Sequence, residues 1–312
     1  MIIRIILTFF LFLSLSCDSA KYLTIENQQY EVFTGPGLIF IKENLYADES
    51  EVTNLMYLEF IDWTEEIFGE NSNEYNQIQV DKSVWNSTKF SAEIGKNYFE
   101  HQDFANYPVV GISLEQAQLF SKWRTDRVAE LMLIRKGLIK SDFKYSKVNY
   151  FTIEKYLNND YEWILSKENI FVPEYTIPNK DEWEIIAGLY SNYTNGTDLT
   201  LGENKRTIKK HNFLHNTTEF HSNNNSKSKT IKKSCTDPMC QIKTLGVNIY
   251  GLYDTVGNVS EMTSNEGISK GGSWKNRLGD IKIEKDFAFD SVNAWTGFRN
   301  IARQRLFIVK QR

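Results

Sequence analysis

The feature that most constrains this chain is a glycine-rich stretch near its C-terminal end, Gly251–Glu261 (GLYDTVGNVSE). Gly257 can adopt a backbone angle that other residues avoid, so the chain can turn just before Asn258. Glu261, three positions further on, can then place its carboxylate beside the Asn258 side-chain oxygen and a freed backbone carbonyl. Such a group of oxygen atoms suits calcium, and the alternative is a loop held by hydrogen bonds without a metal. In either case, Asn258 and Glu261 are predicted to fix the loop.

The composition is that of a folded globular protein. Hydrophobic residues make up 41% of the chain and charged residues 24%, which excludes wholesale disorder, a collagen-like chain and a multi-span membrane protein. The 20 Phe, 16 Tyr and 7 Trp residues supply enough flat apolar surface for a core with little regular structure. Because 36 basic residues face 40 acidic ones, no positive charge is left over for a nucleic-acid backbone. Nucleic acid is therefore not expected as a partner.

The N-terminus has the pattern of an export signal. Arg4 precedes an apolar and hydroxyl run, Ile5–Ser16, that is shorter than the roughly 20 residues needed to span a bilayer. The run ends at Cys17 in a sequence that resembles a bacterial lipobox, although Ser14 stands where leucine is usual. We expect a lipoprotein signal peptide at 1–16 and a lipid-anchored tether at 17–36, which predicts an outer-membrane lipoprotein of the cell envelope. The alternative is an ordinary signal peptide with an incidental cysteine.

Export also bears on the two remaining cysteines. Cys235 and Cys240 would lie in an oxidising compartment, where they could form a disulfide across the intervening turn residues, or stay as free thiols. A basic, asparagine-rich segment at about 192–233 precedes them and is predicted to be a solvated insertion.

Local signals predict several regular elements. The clearest is a helix over 114–134, which Ser113 and Gln116 begin with capping-box spacing. On this helix, four charged residues are expected to face water: Lys122, Arg124, Asp126 and Glu130. The other predicted elements are a strand within 37–46, a helix beginning near Val52, and a helix from Lys180 to Gly188 that Asn179 caps.

Several segments in a fixed order resemble the formylglycine-generating enzyme (sulfatase-modifying factor) family. Besides Gly251–Glu261, they are Glu51–Asn54, Pro108–Ser113, Ile177–Pro178, Lys270–Trp274 and Gly297–Arg299. The resemblance implies one α+β domain over 37–303, similar to C-type-lectin-like proteins and rich in irregular structure, followed by a tail at 304–312. It also implies calcium at Asn258 and Glu261, with the Val259 carbonyl as a third candidate ligand.

The same resemblance argues against the family's chemistry in this chain. Active members carry two cysteines directly after the Gly-Gly-Ser-aromatic segment, where thiolates bind copper(I). Here those positions are Asn276 and Ile281, so copper is not expected and no catalytic residue is assigned. A protein-modifying oxidoreductase with a diverged site near Trp274, Asn276 and Arg299, or with displaced thiols at Cys235 and Cys240, is the alternative. A calcium-dependent, lectin-like binding module is a further one.

Within the family, the segment around Trp123–Val128 is most similar to gliding-motility lipoproteins of the GldJ and GldK type, partners of the type IX secretion machinery. This similarity favours a non-catalytic scaffold for other proteins of that machinery. It suggests a docking face at Trp123, Arg124, Asp126 and Arg127. The alternative is a helix end whose arginine stems cover the core and whose charges pair at the surface.

Overall fold

The computed structural model describes residues 21–25, 28–88, 95, 97–188, 235–236, 239–276 and 280–309. The predicted signal peptide, Cys17 and the basic insertion at 192–233 lie outside the described residues. The helices are α1 (Asn54–Phe68), α2 (Asn73–Asn76), α3 (Leu114–Arg135), α4 (Ile153–Asn158) and α5 (Lys180–Ala187), with 3-10 turns at Lys82–Ser87 and Gln102–Phe104. The strands are β1 (Lys21–Ile25), β2 (Gln28–Val32), β3 (Leu38–Lys42), β4 (Leu45–Asp48), β5 (Ile170–Thr176), β6 (Cys235–Thr236), β7 (Met239–Cys240), β8 (Ser260–Met262), β9 (Ile268–Lys270), β10 (Phe287–Ala288), β11 (Thr296–Gly297) and β12 (Ile301–Phe307).

Two four-stranded sheets organise the described part of the chain, which mixes helix and sheet. The first has the order β3-β4-β12-β5, and its longest pairing is antiparallel between β12 and β5, from Ile301 opposite Thr176 to Phe307 opposite Ile170. The second has the order β10-β9-β8-β11, in which β11 runs parallel to β8. The Gly251–Glu261 stretch leads into β8 of this second sheet.

An aromatic core holds α1 against α3. Tyr57 and Phe60 of α1 contact Phe120 of α3, with ring centroids 5.8 and 5.9 Å apart, and Phe298 contacts Phe120 at 5.5 Å. All four side chains are buried, and ring pairs of this kind add to the stability that their buried area supplies. These aromatic side chains thus pack α1 against α3 and join both helices to the segment before β12.

The helix α3 confirms the predicted element and corrects the prediction of its surface. Ser113 and Gln116 form the expected capping box. Of the four charged residues expected to face water, only Lys122 is exposed. Asp126 and Glu130 are buried and Arg124 is largely buried, because β5 contacts α3 on one side and the α4 segment contacts it on another.

Three other expectations also need correction. The single strand expected within 37–46 is a hairpin of β3 and β4, which turns at Glu43 with φ of +46°. The segment expected to be a tether contains a second hairpin, β1 paired with β2. The boundary expected at 303 falls inside β12, because this strand pairs with β5 as far as Phe307.

No helix in the described ranges is long and apolar enough to cross a membrane.

Candidate functional site

The Gly251–Glu261 loop turns as the sequence predicted. Gly257 has φ of +87° and Asn258 has φ of +57°, so two successive residues adopt left-handed backbone angles. Asparagine tolerates this region better than most residues, because its short side chain can hydrogen-bond locally. The turn leads directly into β8, whose second residue is Glu261.

Asn258 joins two distant segments of the chain. Its Nδ2 donates to Glu51 Oε1 at 3.1 Å and to the Cys240 carbonyl at 3.2 Å. Its Oδ1 accepts from the Cys240 backbone N–H at 3.0 Å. The side chain therefore pairs with both backbone groups of Cys240 and attaches β7 to the segment that precedes α1.

Glu261 forms a buried ion pair with Arg299. Both side chains are 0% exposed, and the shortest contact joins Arg299 Nη2 to Glu261 Oε1 at 2.7 Å. Arg299 Nε also donates to both carboxylate oxygens, and Trp183 Nε1 donates to Oε2 at 2.7 Å. Both oxygens of Glu261 thus have N–H donors, and its charge is balanced by a guanidinium.

This arrangement does not suit calcium at the predicted donors. Asn258 Oδ1 and both Glu261 oxygens already accept hydrogen bonds, so a cation could bind Asn258, Glu261 and the Val259 carbonyl only if Arg299 released Glu261. Among the described residues, no group of three or more His, Cys, Asp or Glu side chains could hold a metal ion.

Two further buried carboxylates lie near Arg299, and the sequence did not predict them as part of the site. Burial, together with the charge of Asp254, raises the pKa of Glu51 well above its usual range, although Arg299 opposes the shift. Glu51 Oε2 has no hydrogen-bond partner among the residues that the structure describes. Burial also raises the pKa of Asp254 to about 6, while backbone N–H groups including that of Leu245 oppose the rise. Three buried acids thus surround one guanidinium, and the only signal in the sequence was that Glu51 and Asp254 both lie in family-like segments.

A cavity of about 330 Å³ opens on the second sheet. Its lining includes Ser260 of β8, Ser269 of β9, Phe287 of β10, and Lys275, Asn276 and Trp295 from the adjoining loops. Of the three residues expected at a pocket, Asn276 alone lines this cavity. Trp274 Nε1 instead donates to the Ala294 carbonyl at 3.1 Å, and Arg299 is fully buried beside Glu261.

A model of the sulfatase-modifying factor enzyme 1-like domain matches residues 39–304. The chain belongs to this family. Among solved structures, Treponema denticola variable protein 1 is 16% identical over 91% of this chain and 98% of its own, with a TM-score of 0.39. The crystal structure of CarF is 15% identical over 87% of this chain and 94% of its own, with a TM-score of 0.37. A comparison with curated proteins found no match.

The sulfatase-modifying factor domain carries neither thiol at the two positions that the sequence comparison singled out. Asn276 Oδ1 accepts from the Ser273 backbone N–H at 2.9 Å and from Ser273 Oγ at 3.1 Å. Ile281 is buried, and its side chain lies so close to Gly272 that a Cβ added there would approach Ile281 Cγ1 to 2.8 Å. An amide and a buried aliphatic side chain are not ligands for copper(I), so these residues do not fit that ion.

The two cysteines lie in a short hairpin beside Asn258. Cys240 is buried and disulfide-bonded, and Cys235 lies opposite it in the β6–β7 register. The Cys235 side chain lies outside what the structure describes, so the pairing of these two cysteines stays a prediction.

The four residues expected at a docking face of the domain contact its interior. Arg124 pairs with Asp48 at 2.6 Å, and Arg127 Nη2 donates to the Phe151 carbonyl at 2.5 Å. Asp126 accepts from the Ile153 backbone N–H at 2.8 Å. The Trp123 ring packs 5.3 Å from Phe60 and 5.6 Å from Phe120. Most of their polar groups therefore hold α3 against its neighbours.

Proposed function

We propose that this chain is a non-catalytic outer-membrane lipoprotein that scaffolds protein partners, related to gliding-motility lipoproteins of the GldJ and GldK type. Its domain would have a C-type-lectin-like fold. A lipid on Cys17 would hold it at the membrane, and its partners would be other proteins of the gliding and type IX secretion machinery.

The observation that carries the proposal is the identity of two positions, Asn276 and Ile281. Copper(I) binding and thiol exchange require thiolates, and neither side chain can supply one. Membership of the family combined with the absence of thiols at these positions favours a domain that serves as a binding scaffold. The contacts of Glu51, Glu261 and Arg299 also favour a non-catalytic role, because these charged side chains bond to buried protein groups and so stabilise the fold.

A diverged oxidoreductase is the second candidate, and the cavity beside Asn276 is the observation in its favour. The first test therefore incubates the full-length chain in detergent with copper(I), oxygen and a Cys-x-Pro-x-Arg peptide. Mass spectrometry then measures conversion of cysteine to formylglycine, with an active family member as the control. We expect no conversion, and conversion by this chain would overturn the proposal.

The scaffold role itself is tested by crosslinking the chain in intact cells. We expect proteins of the gliding or type IX secretion machinery to be recovered with the wild-type chain. The Cys17→Ala variant is expected to recover far less of them, because it would not be anchored. Equal recovery of those proteins with an unrelated lipoprotein of the same membrane would contradict the scaffold role.

A further inference from the structure

The cavity on the second sheet has a floor of hydroxyl and aromatic side chains. Ser260 and Ser269 come from the antiparallel pair β8–β9, and Phe287 lies opposite Ser269 on β10. Side chains alternate between the faces of a strand, which explains why Glu261 and Lys270 have their partners elsewhere, in Arg299 and Glu184. The floor is therefore polar without being acidic.

The rim of the cavity offers hydrogen-bond donors with a fixed orientation. Both hydrogen bonds from Ser273 go to Asn276 Oδ1, so the Asn276 amide is held in one orientation. Its Nδ2 group has no acceptor among the residues that the structure describes. Ser269 Oγ donates to the Phe287 carbonyl at 3.3 Å. Ser260 Oγ has no hydrogen-bond acceptor among the described residues.

Among the described residues that line the cavity, Lys275 alone carries a positive charge. Lys275 Nζ lies 3.4 Å from the centroid of the Trp295 ring, which positions the ammonium group by a cation–π interaction. Within the described ranges, Lys275 has no carboxylate partner, and no Asp or Glu lines the cavity. Asp286, which precedes Phe287 in the sequence, pairs with Lys270 and Lys180.

We propose that this cavity binds the carboxylate of a ligand with an apolar body. The carboxylate would accept hydrogen bonds from Lys275 Nζ and Asn276 Nδ2, while the apolar body would pack against Phe287 and Trp295. Among the described lining residues, one cationic side chain and two aromatic walls suit a monoanion with apolar groups better than a small, strongly charged inorganic anion. A volume of about 330 Å³ accommodates one amino-acid residue with its terminal carboxylate. The site goes beyond the proposed scaffold role, and its test does not depend on that role.

The carboxylate could belong to a free small molecule or to the C-terminal residue of a peptide. The test uses the full-length chain in detergent and measures binding by ligand-observed NMR and calorimetry. The probes are N-acetylphenylalanine, its uncharged amide, and a six-residue peptide that ends in phenylalanine with either a free or an amidated C-terminus. The variants are Lys275→Met, Asn276→Leu and, as a matched loss of one charge from an exposed site on α3, Lys122→Met.

We expect N-acetylphenylalanine to bind at least tenfold more tightly than its amide, and both cavity variants to lose at least fivefold in affinity. Lys122→Met should bind as the wild type does. Stronger binding of the free-carboxylate peptide than of the small acid would indicate a chain terminus as the ligand, and the reverse would indicate a free acid. Any one of three results would overturn the proposal. They are equal binding of acid and amide, unchanged affinity in Lys275→Met, and no binding of any probe at about 10 mM.

Discussion

The buried guanidinium of Arg299 joins parts of the chain that are far apart in sequence. Besides Glu261, it donates to the backbone carbonyls of Asp48 at 2.9 Å and Tyr253 at 2.6 Å. Its removal would leave several acids without a counter-charge in a region that water does not reach. We expect Arg299→Met to lower the free energy of unfolding, measured by urea denaturation, by about 3–5 kcal/mol.

The exposed pair of Arg305 and Glu174 provides the matched control. Its side chains are 57% and 34% exposed, so water already screens their attraction. We expect Arg305→Met to cost about 0–1 kcal/mol. If the two arginine variants lost similar amounts of stability, burial would not be the reason for the importance of Arg299.

Glu51 should give the unfolding free energy a specific dependence on pH. Burial raises its pKa in the folded state above the unfolded value near 4.5, so the folded state holds the proton more tightly. The contribution of Glu51 to stability is therefore complete below pH 4.5 and is lost as the pH rises towards the folded pKa. Relative to Glu51→Gln, the wild type should lose stability as the pH rises from about 4.5 towards neutral pH, by at most about 1.4 kcal/mol per pH unit.

Urea denaturation of both proteins across that range measures the difference. Glu51→Gln keeps an oxygen to accept from Asn258 and removes the titratable carboxyl, with an amide NH2 group in place of the second oxygen. The exposed Glu115→Gln on α3 is the control and should parallel the wild type at every pH. Parallel curves for Glu51→Gln as well would show that Glu51 titrates at its ordinary pKa.

At the scale of single elements, α3 depends on its first turn. Ser113 Oγ accepts from the Gln116 backbone N–H, and Gln116 Oε1 accepts from the Ser113 backbone N–H. Gln116 Nε2 also donates to the carbonyls of Gln77 and Gln79, so it attaches the helix start to the segment after α2. We expect Ser113→Ala to cost about 1 kcal/mol and Gln116→Ala to cost more.

Urea denaturation of the two variants tests this order. Ser83→Ala, at an exposed position in a 3-10 turn, should change the free energy of unfolding by less than about 0.5 kcal/mol. A smaller loss for Gln116→Ala than for Ser113→Ala would show that the contacts to Gln77 and Gln79 contribute nothing.

Local signals in the sequence were enough to locate α3 and α5. The features that the sequence did not predict depend on contacts between distant segments. The caps of both helices lie within three residues of their partners, so they can be recognised from sequence alone. The burial of Asp126 could not be foreseen, because its partner Ile153 is 27 positions away. The second half of β12, from residue 304, was predicted as a tail for the same reason, since it becomes a strand only by pairing with β5.

The same distinction applies to the site. Asn258 and Glu261 were predicted to fix a loop, because glycine and asparagine in that pattern favour a turn. Their actual partners, Glu51 and Arg299, are 207 and 38 positions away. Residue types and the family resemblance together predicted calcium at these two residues, and in the structure the Arg299 guanidinium lies beside Glu261.

At the scale of the whole molecule, the proposed anchor lies close to folded structure. The hairpin of β1 and β2 begins at Lys21, and β2 contacts β5 of the first sheet. A chain that runs from Cys17 to Lys21 can span at most about 14 Å, so a lipid at Cys17 would hold the domain near the membrane surface. We therefore expect a membrane anchor that allows little separation between domain and bilayer.

Replacing the anchoring residue tests this arrangement directly. Each buried CH₂ of an acyl chain contributes about 0.8 kcal/mol to membrane binding, and the described part of the chain has no helix to substitute for it. We expect Cys17→Ala to move the protein from the membrane fraction to the soluble envelope fraction, whereas Ser14→Ala, which keeps the cysteine, should stay with the membrane. Labelled fatty acid should appear in the wild type and in Ser14→Ala only. Recovery of unlabelled Cys17→Ala with the membrane, with the segment 1–16 shown by mass spectrometry to be removed, would show that protein contacts, and not a lipid, retain the domain there.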